Sequence, residues 1–551
     1  MSKPLPIYSH HIFIFPFKWD ILNTAKDFSE RINLGLLEKQ IGRQPALTVS
    51  NTSLRWERYQ FDWNRDYNEA IYFHPHVRDV LFDKGQDNCT TVLQYHIPAK
   101  GKSLDYRIHL QVKDGMPPLA YTLEIEEITL NFYDSGIGFF AFHLNNYAHR
   151  NPTAVLKIND FGRRIYPQFL GADNDDRLTG PKGAFLADQI EILKDSISIV
   201  ADDFRSIPAR VKSKKPLQED FLMPAHIKSL LPKTIRLAHN INMSPLLDDR
   251  MHVICWIGDK DWLDSLAKPD NNPTAAFRWY SLIFVDGDVK SGMSNSVQAL
   301  EYNWKHTYKR WAEDGLYYGI SRYSFVILAN GDDWFHRNVV LTHMQTMYFQ
   351  IVLLSLLQRG SIVRFSEEIT RLSQQMASST QLKHSTQAVK SLYSKYLEFV
   401  NKIYFREVTP QEQGIELYQM VQQNMEVERD VKALQSEIQD FFNLLDLKAT
   451  EQQSDALNTL TIVGTGLLIP SIILAYYGVS AYPEISNKDD FTYLWTPFIT
   501  ALGMFIGLIS AWVWVRGRGQ PAFVRWITGI VIFFFIALLF WMVVKVPSEF
   551  K

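Results

Sequence analysis

Two adjacent arginines, Arg163 and Arg164, follow Gly162 in the segment INDFGRRIYPQF, with Tyr166 close behind them. Guanidinium groups grip phosphate through paired N–H donors and an aromatic ring stacks on a nucleobase, so this trio suits a phosphate-bearing ligand held in a turn between apolar stretches. A pair of surface salt bridges is the competing reading. His74 and His76, split by Pro75, have a spacing that a metal accepts, although two surface histidines explain them more simply. Asp173, Asp175 and Asp176 begin like a calcium loop, but Arg177 takes the next ligand position and no glycine follows it. Arg205, Arg210, Lys212, Lys214 and Lys215 lie among Pro208 and Pro216 and read as an exposed linker. No His-Glu-x-x-His, phosphate-binding glycine loop, Gly-x-Ser-x-Gly or zinc-ligand spacing occurs, so an enzyme reading has little support.

The chain has 551 residues, with 57 Lys and Arg against 59 Asp and Glu, a formal net charge of −2. That balance argues against bulk nucleic acid as the main partner. Hydrophobic residues at 46% and charged residues at 21% exclude global disorder. Two cysteines, Cys89 and Cys255, are too few for a disulfide framework or a cysteine zinc site.

The elements that must position these groups fall into three sections. Residues 1–333 read as an α+β domain. Its first strand has Ile12 and Ile14 on one face and Phe13 and Phe15 on the other, and Pro16 ends it or places it at an edge. Alternation predicts further strands over 91–97, 106–112, 251–256, 279–285 and 322–328, with a hairpin turning at Asp134-Ser135-Gly136. Helices are expected over 182–199 and 297–312. Residues 334–455 read as a long-helix stalk. Thr409 as N-cap, Pro410 at the first position and Glu412 closing a capping box start one helix that runs into the following apolar segment. Val427, Val431, Leu434, Ile438, Phe441 and Leu445 follow coiled-coil spacing along it.

Mean hydropathy is −0.14, an ordinary soluble value, but the apolar residues are unevenly placed. Residues 456–483 and 491–515 contain no charged residue, and neither do residues 526–544. A bilayer core needs about 20 apolar residues per helix, so helices over 456–480, 491–515 and 522–546 are expected to span it. Arg516, Arg518 and Arg525 mark the loop after the second span as cytoplasmic, which places residues 1–455 inside as well. Residues 338–358 are also free of charge, but His343, Gln345 and Gln350 are costly in lipid, so this segment is expected to be a buried helix.

The junction NTLTIVGTGLLIPSIILAYYGVSAYPEIS resembles the first span of the CorA family of divalent-cation channels. Leu460-Thr461-Ile462, Thr465, Pro470, Tyr477-Gly478 and Pro483-Glu484 fall at or within one residue of the family's pattern. The likeness covers roughly residues 420–517. Two departures stand out. Gly478-Val479-Ser480 replaces Gly-Met-Asn, whose asparagine ring holds hydrated magnesium in the family, and a third span follows Gly519. A large N-terminal domain without the intact motif is similar in layout to the CorA-type membrane effectors of type III CRISPR systems. Those effectors respond to a nucleotide second messenger, an S-adenosylmethionine–AMP conjugate.

The resemblance implies a bacterial inner-membrane homo-oligomer, pentameric by family, with the α+β domain cytoplasmic and an all-α CorA-like membrane domain. It sets a pore face of Ser454, Leu457, Leu460, Gly464, Leu468, Ser471, Gly478 and Ser480, with Leu457, Leu460 and Leu468 able to close the pore by dewetting. Close helix packing is the alternative reason for Gly464, Gly466 and Ser471. Glu484, Asp489 and Asp490 would concentrate cations at an outer mouth, or simply form a solvated loop. Acidic clusters in such soluble domains hold regulatory magnesium, which keeps Asp173, Asp175 and Asp176 as a weak metal candidate. Three functions therefore compete: a channel or effector opened by a cytoplasmic nucleotide, a magnesium transporter regulated by cytoplasmic metal, and a membrane-anchored binding protein.

Overall fold

The segment SHHIFIFPFKWDI carries bulky apolar side chains at successive positions, so an extended strand can bury them only in a sheet covered on both faces. In the computed structural model it forms β1 (Ser9–Ile21), buried along nearly its whole length. The structure describes residues 5–22, 28–42, 46–49, 52–85, 91–110, 119–165, 186–206, 223–238, 240–248, 250–267, 273–287, 297–378 and 382–480. β7 (Ile137–Asn146) pairs antiparallel with β1 from Ser9↔Asn146 to Lys18↔Ile137. On the other side β11 (His252–Gly258) covers residues 9–14, and β10 (Ile241–Pro245) covers 17–21.

Pro16 therefore neither ends the strand nor marks an edge. It falls at the seam between β11 and β10, where a missing N–H costs no ladder bond, and its carbonyl accepts from Leu246 N at 3.0 Å.

Among the described residues fourteen strands join one sheet. β2 (Ala46–Thr48), β3 (Arg55–Arg58), β4 (Val92–Pro98) and β6 (Leu119–Tyr133) lead to β7 and β1. Beyond β11 come β14 (Ser324–Ala329), β13 (Leu316–Ile320) and β12 (Thr307–Tyr308). β5 (Leu104–Leu110), β8 (Gln189–Lys194) and β9 (Ile197–Asp203) branch from β6. The β11–β14 pair is parallel and its neighbours are antiparallel. The β6–β7 hairpin turns at Gly136, whose φ of +78° suits glycine.

Two expected elements differ in type. Residues 279–284 belong to helix α2 (Pro273–Phe284) rather than to a strand, and Val285 follows it in a turn. Ala275, Ala276, Trp279, Leu282 and Ile283 are its buried apolar positions, a helical spacing that the aromatic run W-Y-S-L-I-F obscures. Within 182–199 the chain forms β8 and β9 instead of a helix, with Asp195 and Ser196 both at positive φ in the tight turn. The period-two run of Ile190 and Ile192 was the local signal. Residues 182–185 lie outside the described residues. The helix expected over 297–312 stops at Lys305 and gives way to β12.

Helices cover both faces of the sheet. α1 (Pro152–Arg163) packs on β1 and β11 and is joined by α2. The opposite face receives α3 (Phe349–Ser378), which two π-helical turns, His336–Val340 and Met344–Tyr348, lead into. Among the described residues this is the one helix long and apolar enough to cross a membrane, and 67% of its most apolar window is buried in the protein. Its polar residues have partners there: Gln345 Nε2 donates to Glu126 Oε2 at 2.9 Å, and Gln350 Nε2 to Glu69 Oε1 at 2.9 Å.

After α4 (Leu382–Lys402), the helix expected to run unbroken from Pro410 is two helices, α5 (Glu412–Met425) and α6 (Val427–Ser480). Thr409 lies outside the helix, and Gln411 is the N-cap. The Thr409 hydroxyl instead donates to Tyr72 O and accepts from Gln411 N. The break is Glu426, at φ +56°. The chain forms two compact units, Met1–Ile438 and Gln439–Lys551. In the first, Val427, Val431, Leu434 and Ile438 are buried. Residues 491–515 and 522–546 lie outside the described residues.

Candidate functional site

Arg163 ends a helix and is not in a turn. α1 carries it on its last turn, and Gly162 lies within the helix because a Cβ there would meet Phe13 Cε2 at 2.7 Å and Ile108 Cδ1 at 2.9 Å. The next residues dock on the start of β11: Arg164 bridges to Arg250, and Arg163 O accepts from Met251 N at 2.8 Å. This places Arg163 inside the protein, 2% exposed. Its Nη2 donates to Val285 O at 3.0 Å, while its Nε and Nη1 are buried without a hydrogen-bond partner among the described residues. An unpaired buried guanidinium is costly. Burial first, and then the nearby Arg250, bring its pKa down to about 10.

Other cations converge on the same place. The Tyr323 ring, between β13 and β14, has Arg163 Cζ at 5.8 Å and Arg250 Cζ at 5.2 Å from its centroid, within cation–π range. Arg359, on α3, has its pKa lowered by burial and then by Arg322. Among the described residues it makes no hydrogen bond or ion pair. His252, at the head of β11, is held neutral by burial, with Arg359 and Arg163 adding to the effect, and its pKa falls to about 3.

The carboxylates nearby are partly engaged elsewhere. Asp160 pairs with Arg164 at 2.7 Å, Asp248 with Arg250 at 3.3 Å, and Glu426 with Arg322. Asp430 acts on Arg359 at longer range. Arg429 also pairs with Glu426 at 2.6 Å and with Asp430 at 2.9 Å, while Arg163, the most deeply buried of these arginines, has two donor nitrogens without a hydrogen-bond partner among the described residues.

The backbone is strained at the same place. Of the non-glycine residues at positive φ among the described residues, Ser103, Asp195 and Ser196 lie in turns leading into or between strands. The other three, Leu247 (φ +79°), Val285 (φ +52°) and Glu426 (φ +56°), all border the arginine cluster. Leu247 precedes Asp248, Val285 receives the Arg163 bond, and Glu426 pairs with Arg322. A β-branched valine in this region is an outlier, and such strain concentrates at binding sites. The arrangement suits an anion with several oxygens, phosphate above all.

A second polar group lies under β1. Ser9 Oγ is 2.9 Å from His11 Nε2, and His11 Nδ1 is 2.6 Å from Asn159 Oδ1, the order of a nucleophilic triad. All three are fully buried, Asn146 Nδ2 donates to Ser9 Oγ at 2.8 Å, and burial lowers the His11 pKa to about 3, leaving a poor base. This network holds the strand end together. His74 and His76 stack with centroids 5.7 Å apart, and His74 Nε2 meets Glu407 Oε1 at 3.0 Å. Among the described residues no cluster of three or more metal-ligating side chains occurs.

Of the residues singled out from sequence, Arg163 and Arg164 belong to one cluster. Arg164 makes the salt bridge of the competing reading and Arg163 does not. Tyr166, Asp173, Asp175 and Asp176 lie outside the described residues, as do Cys89, Glu484, Asp489 and Asp490. Leu457 and Leu460 are on α6 at 63% and 72% exposure, and a Cβ at Gly464 would meet open space. Leu468, Ser471, Gly478 and Ser480 continue that helix, their side chains outside the described ones.

Sequence reading missed Arg250, Arg322, Tyr323, Arg359 and Glu426. Each is an ordinary polar residue in its local sequence, and only the fold brings them to Arg163. Comparisons with protein-family models, with curated proteins and with solved structures each find no match for this chain.

Proposed function

We propose that the protein is a homo-oligomeric membrane channel or effector whose cytoplasmic domain binds a phosphate-bearing nucleotide at the Arg163 cluster. One observation carries the reading: a fully buried arginine with two unpartnered donor nitrogens, among four other arginines, one of them paired with Glu426 at the head of α6. An anion with multiple oxygens satisfies the unpartnered donors of Arg163. The nucleotide class extends the CorA-type resemblance, for which an S-adenosylmethionine–AMP conjugate in antiviral defence is the specific candidate.

The membrane part of the proposal rests on the charge-free runs at 456–483, 491–515 and 526–544. The exposed Leu457 and Leu460 on α6 add to it, because apolar side chains left uncovered in one chain invite lipid or neighbouring copies. The pore would be lined from Leu457 to Ser480.

Binding of labelled nucleotides, the S-adenosylmethionine conjugate included, to the full chain and to R163A/R164A tests the ligand. Ion flux through the protein in liposomes tests the channel. Binding that survives R163A/R164A unchanged would remove the site. Flux set by magnesium alone, with no nucleotide bound, would favour a metal-regulated transporter. No flux under any ligand or gradient would leave a membrane-anchored binding protein.

A further inference from the structure

The joint between α5 and α6 has unequal sides. α5 is fixed to α3 by hydrogen bonds: Gln422 Nε2 donates to Ser355 Oγ at 3.0 Å and to Gln358 Oε1 at 2.7 Å, and Gln358 Nε2 donates to Tyr418 OH at 3.1 Å. One residue, Glu426, then separates α5 from α6 in the left-handed conformation, which a glutamate adopts at a cost. Its backbone N–H still closes α5 through Gln422 O and Gln423 O. Its carboxylate is divided, one oxygen accepting from Arg429 Nη1 at 2.6 Å on α6 and the other from Arg322 Nη2 in the turn beside Tyr323. Arg322 thus touches the joint while it is next in the chain to Tyr323, whose ring lies within 5.8 Å of Arg163 Cζ and 5.2 Å of Arg250 Cζ, and Arg359 makes no ion pair among the described residues.

We infer that Arg322 is shared between a bound anion and Glu426, so that occupancy of the arginine cluster and the state of the α5–α6 joint are linked. The inference rests on the anion-site reading. An anion that satisfies Arg163 also attracts Arg322 and Arg359, and each bond it takes from Arg322 weakens the tie at Glu426. Linkage runs both ways: removing the Glu426 carboxylate frees Arg322 and tightens anion binding. The pair is partly exposed, so the effect is modest, about threefold to fivefold in affinity.

The test uses the full chain in detergent micelles with inorganic pyrophosphate as the probe, titrated calorimetrically. Glu426→Gln and Glu426→Gly both remove the charge, and glycine also keeps the left-handed joint without strain. Both are expected to bind pyrophosphate about threefold to fivefold more tightly than the unmodified chain. In the unmodified chain pyrophosphate should speed hydrogen exchange at residues 426–430, and in Glu426→Gln it should not. Binding that is lost in Arg163→Ala but identical in both Glu426 variants, with no change in exchange, would overturn the link and leave the anion site standing. Absence of pyrophosphate binding in the unmodified chain would remove the anion site itself.

Discussion

Replacing Arg163 by methionine removes a buried positive charge while keeping an unbranched side chain of similar length in its place. The guanidinium's pKa is brought down to about 10 by burial, two pH units or more below an ordinary arginine. At about 1.4 kcal/mol per pH unit, holding it charged in the fold costs on the order of 3 kcal/mol. Against that stands one charged hydrogen bond, Nη2 to Val285 O at 3.0 Å, which contributes about 1.5–3 kcal/mol. Without ligand, Arg163→Met should therefore be as stable as the unmodified chain or more stable by up to about 2 kcal/mol. An arginine in a satisfied buried ion pair would instead cost about 3–5 kcal/mol on removal. Urea unfolding in detergent micelles, followed by tryptophan fluorescence with and without pyrophosphate, separates the two cases. At a hundredfold excess over Kd the anion should stabilise the unmodified chain by about 2.7 kcal/mol and leave Arg163→Met unaffected. A loss of about 3 kcal/mol or more in ligand-free Arg163→Met, with no anion effect on the unmodified chain, would refute the reasoning and make Arg163 a structural residue.

Acid should destabilise the sheet domain. His10, His11 and His252 are buried neutral, with pKa values lowered by burial to about 4, 3 and 3. Their unfolded forms take up protons below about pH 6.5, so the stability they contribute is complete above that value and is lost as pH falls toward 3–4. Between pH 7.5 and 5 the loss should reach about 5–6 kcal/mol, and a flat unfolding profile over that range would contradict the assignment. Gly162→Ala should cost about 1–3 kcal/mol in urea unfolding through overlap with Phe13 and Ile108, and a cost below about 0.5 kcal/mol would show that α1 can move away from the sheet. Leu468→Asn should raise the resting ion flux of liposomes by wetting the proposed constriction, and unchanged flux would count against the pore face.

Local patterning determined much of this protein. The continuous apolar run in SHHIFIFPF and the alternation in TLEIEEITLNFY, with a glycine turn between β6 and β7, specify strands without reference to the rest of the chain. The polar residues in the apolar run at 338–358 point to a helix buried in protein, and Gln345 and Gln350 do find carboxylate partners. The pair Arg163-Arg164 is visible as a candidate because two guanidiniums in sequence are a recognisable phosphate grip.

Tertiary structure decided the rest. Pro16 can lie in the middle of a central strand only because two different strands meet opposite it. Glu426 breaks the helix within a stretch that has no glycine or proline between Gly414 and Gly464, and its carboxylate finds Arg322 about a hundred residues earlier in the chain. Burial separated Arg163 from Arg164, leaving one with a single hydrogen bond and no ion pair among the described residues and the other in a salt bridge. Periodicity states which face of a segment avoids water. It carries no information on which distant segment will cover that face, and so none on which charges are brought together when it does.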